Sequence, residues 1–243
     1  MSSIGHIAGV AEAHARELSR RRGALLLLVG LPLAFYGALA GHADHAIVAG
    51  TVATAFSISG AGIFAVLAGR PIDQRLVLAG YRPAELVAGR LAFLTALSLP
   101  ILAGTAALML AVSHPAHPAE LVAALAVLGL DAIPLGLAVG TLLPRELEAT
   151  LVLIGIVGVQ LSLEPTQTLS ALLPFHAATR LADAAVDQPL PATDAAPAAG
   201  YAAVLLTVAI TAATARLRPA PAHRGIVGRV SPGRVRSRRS PPG

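Results

Sequence analysis

Apolar runs long enough to cross a bilayer follow one another along this chain, and arginine is confined almost entirely to every second gap between them. A hydrocarbon core of about 30 Å takes roughly 20 residues of helix. Runs of that kind are Gly23–Gly41, Ala46–Gly69, Leu91–Ser113 and Leu121–Leu143, followed by a shorter one, Ala149–Leu163, and by Ala195–Ala215. Asp131 is the only acidic or basic side chain inside any of them. Arg16, Arg20, Arg21 and Arg22 precede the first run; Arg70, Arg75, Arg82 and Arg90 follow the second; Arg145 follows the fourth; eight more begin at Arg216. The other side holds Arg180 alone, against Asp44, Glu120, Glu164, Asp183, Asp187 and Asp194. The positive-inside rule then places both termini in the cytoplasm. The expected fold is an all-α polytopic membrane protein with six transmembrane helices in the plasma membrane.

Composition closes off most other readings. Charged residues make up 13% of the 243, about half the usual share of a soluble domain, and the mean hydropathy is +0.72. The chain has no Cys, so disulfide frameworks, thiolate metal sites and cysteine nucleophiles are excluded. All 18 basic residues are Arg. A P-loop uses a Lys to reach the outer phosphates, so any ATP that drives this protein is hydrolysed by another subunit. The net charge of +5 divides into +8 from Arg216 onward and −3 before it. That pattern suits anionic lipid beside a helix end better than nucleic acid.

Three segments follow. Residues 1–22 place Ile4, Ile7, Ala11, His14 and Leu18 at helical spacing opposite Glu12, Arg16, Glu17 and Arg20, which predicts an amphipathic helix in the headgroup plane. Residues 23–215 form the six-helix domain, and residues 216–243 read as a disordered basic cytoplasmic tail. Ser19-Arg20-Arg21 before a leucine run resembles a signal peptide, but the long leader and five further spans favour an uncleaved first span. In the connection from Arg70 to Arg90, Asp73–Ala79 is helix-compatible, Gly80 suits a helix end, and Pro83 with Glu85 suits the next helix start. The fifth run reaches only about 22 Å. Glu164-Pro165 interrupts it before a second apolar patch, Leu169–Pro174, which predicts short re-entrant helices.

Few residues can carry chemistry. Asp131 is an intramembrane carboxylate, read either as part of a translocation path or as a protonated, hydrogen-bonded structural group facing the bundle. Ser57, Ser59 and Gln160 are its candidate partners. His42 with His45 and His114 with His117 have metal-compatible spacing, which keeps open a metal-binding membrane protein. A non-transporting anchor or regulator acting through the basic tail is a further alternative. Membrane-enzyme signatures are absent: there is no H-E-x-x-H and no G-x-S-G. The small residues Ala53, Ser57, Gly60 and Ala61 predict close helix packing on the second span.

The stretch Arg75-Leu76-Val77-Leu78-Ala79-Gly80-Tyr81-Arg82-Pro83-Ala84-Glu85-Leu86-Val87 resembles the cytoplasmic hairpin of permease subunits of type-2 ATP-binding-cassette exporters. Pro144-Arg145-Glu146-Leu147-Glu148 is similar to their fourth connection, and Leu173-Pro174-Phe175 to their outer re-entrant region. The resemblance covers Ile4 to Arg216 and rests on architecture more than on invariant residues. It implies an exporter in a bacterial membrane, built as a homodimer or a paired permease. Separate ATPase subunits, which use ATP and Mg, would dock on Arg75, Arg82, Glu85, Arg145 and Glu146. It implies no cofactor in this chain and no particular substrate.

Overall fold

The computed structural model describes residues 3–39, 41, 43–163, 169–186 and 196–217. Eight α-helices are present among them: α1 Ser3–Arg20, α2 Arg22–Ala38, α3 Ala43–Leu78, α4 Pro83–Ser113, α5 Pro118–Leu142, α6 Glu146–Ser162, α7 His176–Ala184 and α8 Ala196–Leu217. A 3₁₀ turn, Ser170–Leu172, precedes α7. No strand occurs among the described residues.

Four helices are long and apolar enough to cross a membrane: α3, α4, α5 and the stretch Ala199–Arg216 of α8. A fifth is obtained if α1 and α2, which meet at 87° across Arg21, are counted as one bent element. By length and composition the described helices give four or five spans, against the six expected from the sequence. The 17 residues of α2 and of α6 rise only about 26 Å each. Helices α2 and α6 nevertheless expose Leu26, Leu27, Phe35, Leu151 and Ile154. Apolar surface on that scale fits a multi-pass membrane protein and would aggregate in water.

The turn chemistry between α3 and α4 acts as its residues predict. Gly80 closes the turn with φ of 95°, a conformation that costs Gly nothing. Pro83 opens α4, and Glu85 accepts the Arg82 backbone N–H at 2.9 Å. What differs is the preceding helix. The span and the short Asp73–Ala79 helix expected after it are one unbroken α3 of 36 residues, carried straight through Pro71. At 1.5 Å per residue it is about 54 Å long, well beyond a bilayer core.

Helix α5 is the axis of the bundle and touches α3, α4, α6, α7 and α8. Every residue from Asp131 to Thr141 is buried, as expected of a helix apolar on all sides. Its closest neighbour is α3. A Cβ on Gly62 would lie 3.0 Å from the Gly136 Cα, and one on Gly136 would strike the Ser59 carbonyl oxygen. Ser59 adds a hydrogen bond from Oγ to the Ala132 carbonyl at 2.9 Å. The close-packing stripe expected at Ala53, Ser57, Gly60 and Ala61 is thus displaced. Ser59, Gly62 and Ile63 make the approach, whereas a Cβ on Gly60 would meet nothing. Ser57, Gly60 and Ala61 instead border a cleft toward α2.

Helix α7 is short but almost wholly buried, and it packs on α5, α3 and α8. The His117 N–H donates to the Ala185 carbonyl at 3.0 Å and ties the end of α7 to the start of α5. Short helices do follow α6, then. The Glu164-Pro165 break, Asp187, Asp194 and the tail from residue 218 lie outside the described residues.

Gly136→Val should force α3 and α5 apart and lower stability by about 1–3 kcal/mol, the usual cost of overpacking. Gly155→Val, where a Cβ meets open space, should be close to neutral. Thermal unfolding in detergent compares the two, and equal melting temperatures would show that the backbone contact is not limiting.

Candidate functional site

Arginines of alternate connections lie at one end of the bundle, where Arg70, Arg90 and Arg216 join its helices. Arg70 on α3 donates to the carbonyls of Gly140, Leu143 and Pro144, the first of these at 2.6 Å. Arg216 at the end of α8 donates to the Leu142 carbonyl at 2.8 Å. Two guanidinium groups thus satisfy the unpaired carbonyls at the C-terminus of α5 and complement its dipole. Arg90 sends one nitrogen to both oxygens of Asp73, at 2.5 and 2.7 Å, with both side chains buried. Gly69 leaves room for that guanidinium, because a Cβ there would collide with it.

Helix α1 is seated on this end of α4. His6 Nδ1 lies 3.0 Å from Glu85 Oε2, and its ring stacks on Tyr81 at 4.1 Å. Val10 sits over Gly89, where a Cβ would approach within 2.6 Å. His14 packs against Phe93 at 5.7 Å. Burial, reinforced by the neighbouring Arg90, holds the His14 imidazole down at about 4, against a smaller opposing pull from Glu17.

The five residues expected to dock an ATPase therefore divide. Arg75 and Arg82 are exposed on either side of the Gly80 turn, and Arg145 and Glu146 are exposed at the start of α6. Arg145 pairs with Glu148 at 2.7 Å. Glu85 is corrected: it is buried, accepts the Arg82 N–H and faces His6, so it secures α1 and offers no free charge to a partner. Sequence reasoning missed Asp73, Arg90, His6 and His14 as partners. A signal existed, since Asp73 and Glu85 are the only acids between Arg70 and Arg90. Both acids are buried against a nitrogen of another helix or of their own chain neighbour.

The candidates for a translocation path do not converge. Asp131 is fully buried on α5 rather than exposed to lipid, and neither carboxylate oxygen has a hydrogen-bond partner among the described residues. Its three expected partners all point elsewhere. Ser59 is spent on the Ala132 carbonyl, Ser57 borders the α2 cleft, and Gln160 contacts Thr179 at 3.4 Å near the opposite end. Nor do the histidine pairs form a cluster: among the described residues no three His, Asp or Glu side chains gather as metal ligands. His114 ends α4 in the left-handed region, His117 begins α5, His45 borders a cavity, and His42 lies outside the described residues.

No family model, no curated protein and no solved structure matches this chain.

Removing one member of a buried ion pair leaves the other charge unpaired and costs about 3–5 kcal/mol. Asp73→Ala should show that loss, and Asp73→Ala combined with Arg90→Leu should recover much of it. Additive losses in a double-mutant cycle would mean the pair is not coupled. The low His14 value has its own consequence. The folded group titrates near 4 and the free one near 6.5, so the fold binds fewer protons. Stability from this site is present above about pH 6.5 and is lost as pH falls toward 4. Charging His14 sets it against Arg90, itself bound to Asp73, with Glu17 opposing. Protection of the amides in the second half of α1, taken as the exchange rate relative to the intrinsic rate at each pH, should therefore fall on acidification, and His14→Phe should abolish that loss.

Proposed function

We propose that this chain is the membrane-spanning permease subunit of an ATP-binding-cassette exporter in a bacterial plasma membrane. It works as a homodimer or beside a second permease, with both termini in the cytoplasm. In this reading α2 and α6 complete six crossings, with the bilayer thinned or the helices extended at their ends. Helix α1 lies along the cytoplasmic surface, and the 3₁₀ turn with α7 forms the re-entrant element.

The observation that carries the reading is the hairpin at the arginine-rich end. Helix α3 continues beyond Gly69 to Leu78 without a break, turns at Gly80 and returns as α4, with α1 fastened across it through Glu85. A partner pressing on Arg75 and Arg82 would therefore push on helices that run through the whole bundle. The absence of Lys supports a division of labour in which separate subunits bind ATP and Mg. The basic tail adds attraction to anionic lipid at the same surface.

Charge reversal tests the proposal. Arg75→Glu with Arg82→Glu should still insert and dimerise, because neither side chain is buried. It should lose a copurifying ATP-binding-cassette ATPase and the ATP-dependent transport that goes with it. The purified wild-type chain alone should not hydrolyse ATP. Hydrolysis by the chain alone would sink the reading, and an undiminished ATPase yield with the variant would move the docking surface to Arg145–Glu148.

A further inference from the structure

A groove runs along one face of α3, bordered by α2 and, farther along, by α6 as well. Its first stretch, of about 210 Å³, begins at Leu18 and Ala24, where α1 bends into α2, and continues to Leu31 and Phe56. From those two residues a second stretch of about 270 Å³ leads on to Phe35, Ala53 and Leu161. The lining residues recur at helical spacing from Ala24 to Phe35 on α2 and from Ala53 to Phe64 on α3, so one face of each helix forms a wall. Glycine keeps the groove open, since a Cβ on Gly60 of α3 or on Gly158 of α6 would meet nothing. Ser57 has the only polar side chain along either stretch, and its hydroxyl is itself buried.

One end of this apolar groove is cationic. The Arg21 guanidinium stands 4.7 Å from the centre of the Phe64 ring, which lines the groove at that end. Arg21 pairs with Glu17 at 3.0 Å but remains about half exposed, and Arg20 and Arg22 beside it are exposed too. From Glu12 to Arg22 four Arg stand against two Glu, a net charge of +2 with His14 neutral.

We infer that the groove binds an anionic phospholipid, one acyl chain lying along α3 and the phosphate meeting Arg21 and Arg22. The lengths agree: α3 rises about 16 Å from Ala53 to Phe64, and one leaflet of a bilayer core is about 15 Å deep. A zwitterionic lipid would fill the groove equally well but gain nothing from the net positive charge at its end. A second copy of the chain is a poorer occupant. It would share this chain's orientation in the membrane and bring its own Arg20, Arg21 and Arg22 to the same level, like charge against like. The inference rests on the chain's place in a membrane and on neither an ATPase nor transport.

The chain has no Trp, so Phe56→Trp places a single fluorescent reporter where the two stretches join. The full-length variant in phosphatidylcholine vesicles is titrated with phosphatidylglycerol or phosphatidylcholine carrying brominated chains, which quench Trp on contact. Brominated phosphatidylglycerol should reach half-maximal quenching at a mole fraction about fivefold lower or less, the size of one Arg's attraction to an anionic headgroup. Arg21→Gln with Arg22→Gln should bring the two lipids together. Should that variant fail to insert, salt replaces it: at 1 M the screening length falls to about 3 Å, and the preference should shrink. Gly158→Leu, which fills the groove without a clash, should reduce quenching by both lipids. Val204→Trp, on the exposed face of α8, should be quenched equally by both. Equal quenching of Phe56→Trp by the two lipids, or a preference that survives both salt and loss of the arginines, overturns the headgroup assignment. The same preference at Val204→Trp reports general attraction to the protein surface and overturns the site. Absence of quenching by either lipid at Phe56→Trp means that protein, such as a second copy, covers the groove, and it overturns the inference as well.

Discussion

Two helix backbones can touch only where neither puts a Cβ between them, and α3 and α5 touch at Gly62 and Gly136. Lipid is as apolar as leucine, so water expulsion cannot drive this contact; close van der Waals packing and the Ser59–Ala132 hydrogen bond must. The remaining helices are arranged around that pair. With α3 on one side, α5 can be enclosed by α4, α7 and α8 on the others, which is why it is buried from Asp131 to Thr141. The arginine-rich end follows from the same pairing. Arg70 reaches the carbonyls at the end of α5 because α3 is held at backbone distance from it.

Arginine has two duties at that end. By number it is the residue that the positive-inside rule reads. By position, Arg70 and Arg216 close one helix terminus, Arg90 is buried against Asp73, and Arg21 lies over the Phe64 ring at 4.7 Å. Arginine suits the second duty better than lysine, since a planar fork can serve several carbonyls at once. The exclusive use of Arg therefore fits the structure as well as the charge rule. Arg75 and Arg82, by contrast, have exposed side chains on either side of the Gly80 turn.

Much of this was legible in the sequence, and the failures have identifiable physical causes. Helix composition, the Gly80 turn and the Pro83 start follow from local chemistry, which acts over a few residues. The burial of Asp131 follows from the cost of exposing a carboxylate to lipid. The packing stripe was misread because Gly60 and Gly62 are two residues apart, and choosing between them requires knowing which face of α3 meets α5. Glu85 was misassigned for a similar reason. A capping residue and a surface charge look alike until α1 folds back onto it. The unbroken α3 is not legible because the apolar run ends at Gly69, whereas the helix carries on through Arg70 and Pro71 into the Asp73–Ala79 stretch. Helix count suffers most, because α2 and α6 fall a few residues short of a bilayer thickness and length alone does not decide them.

The position of Gly62 along α3 sets a mechanical ratio. Gly62 stands 16 residues before Leu78 and 17 after His45, so the α5 contact divides the rod into arms of about 25 Å each. Were α3 to tilt as a rigid rod about that contact, it would be a balanced lever. Each degree of tilt moves its two ends by about 0.4 Å in opposite directions, from the same rise per residue. One arm ends beside the Gly80 turn, and the other carries His45, Val48 and Ala49 on the wall of the cavity between α3, α6 and α7. Displacement at either end of such a rod would be returned at the other undiminished and reversed, with neither force nor travel amplified.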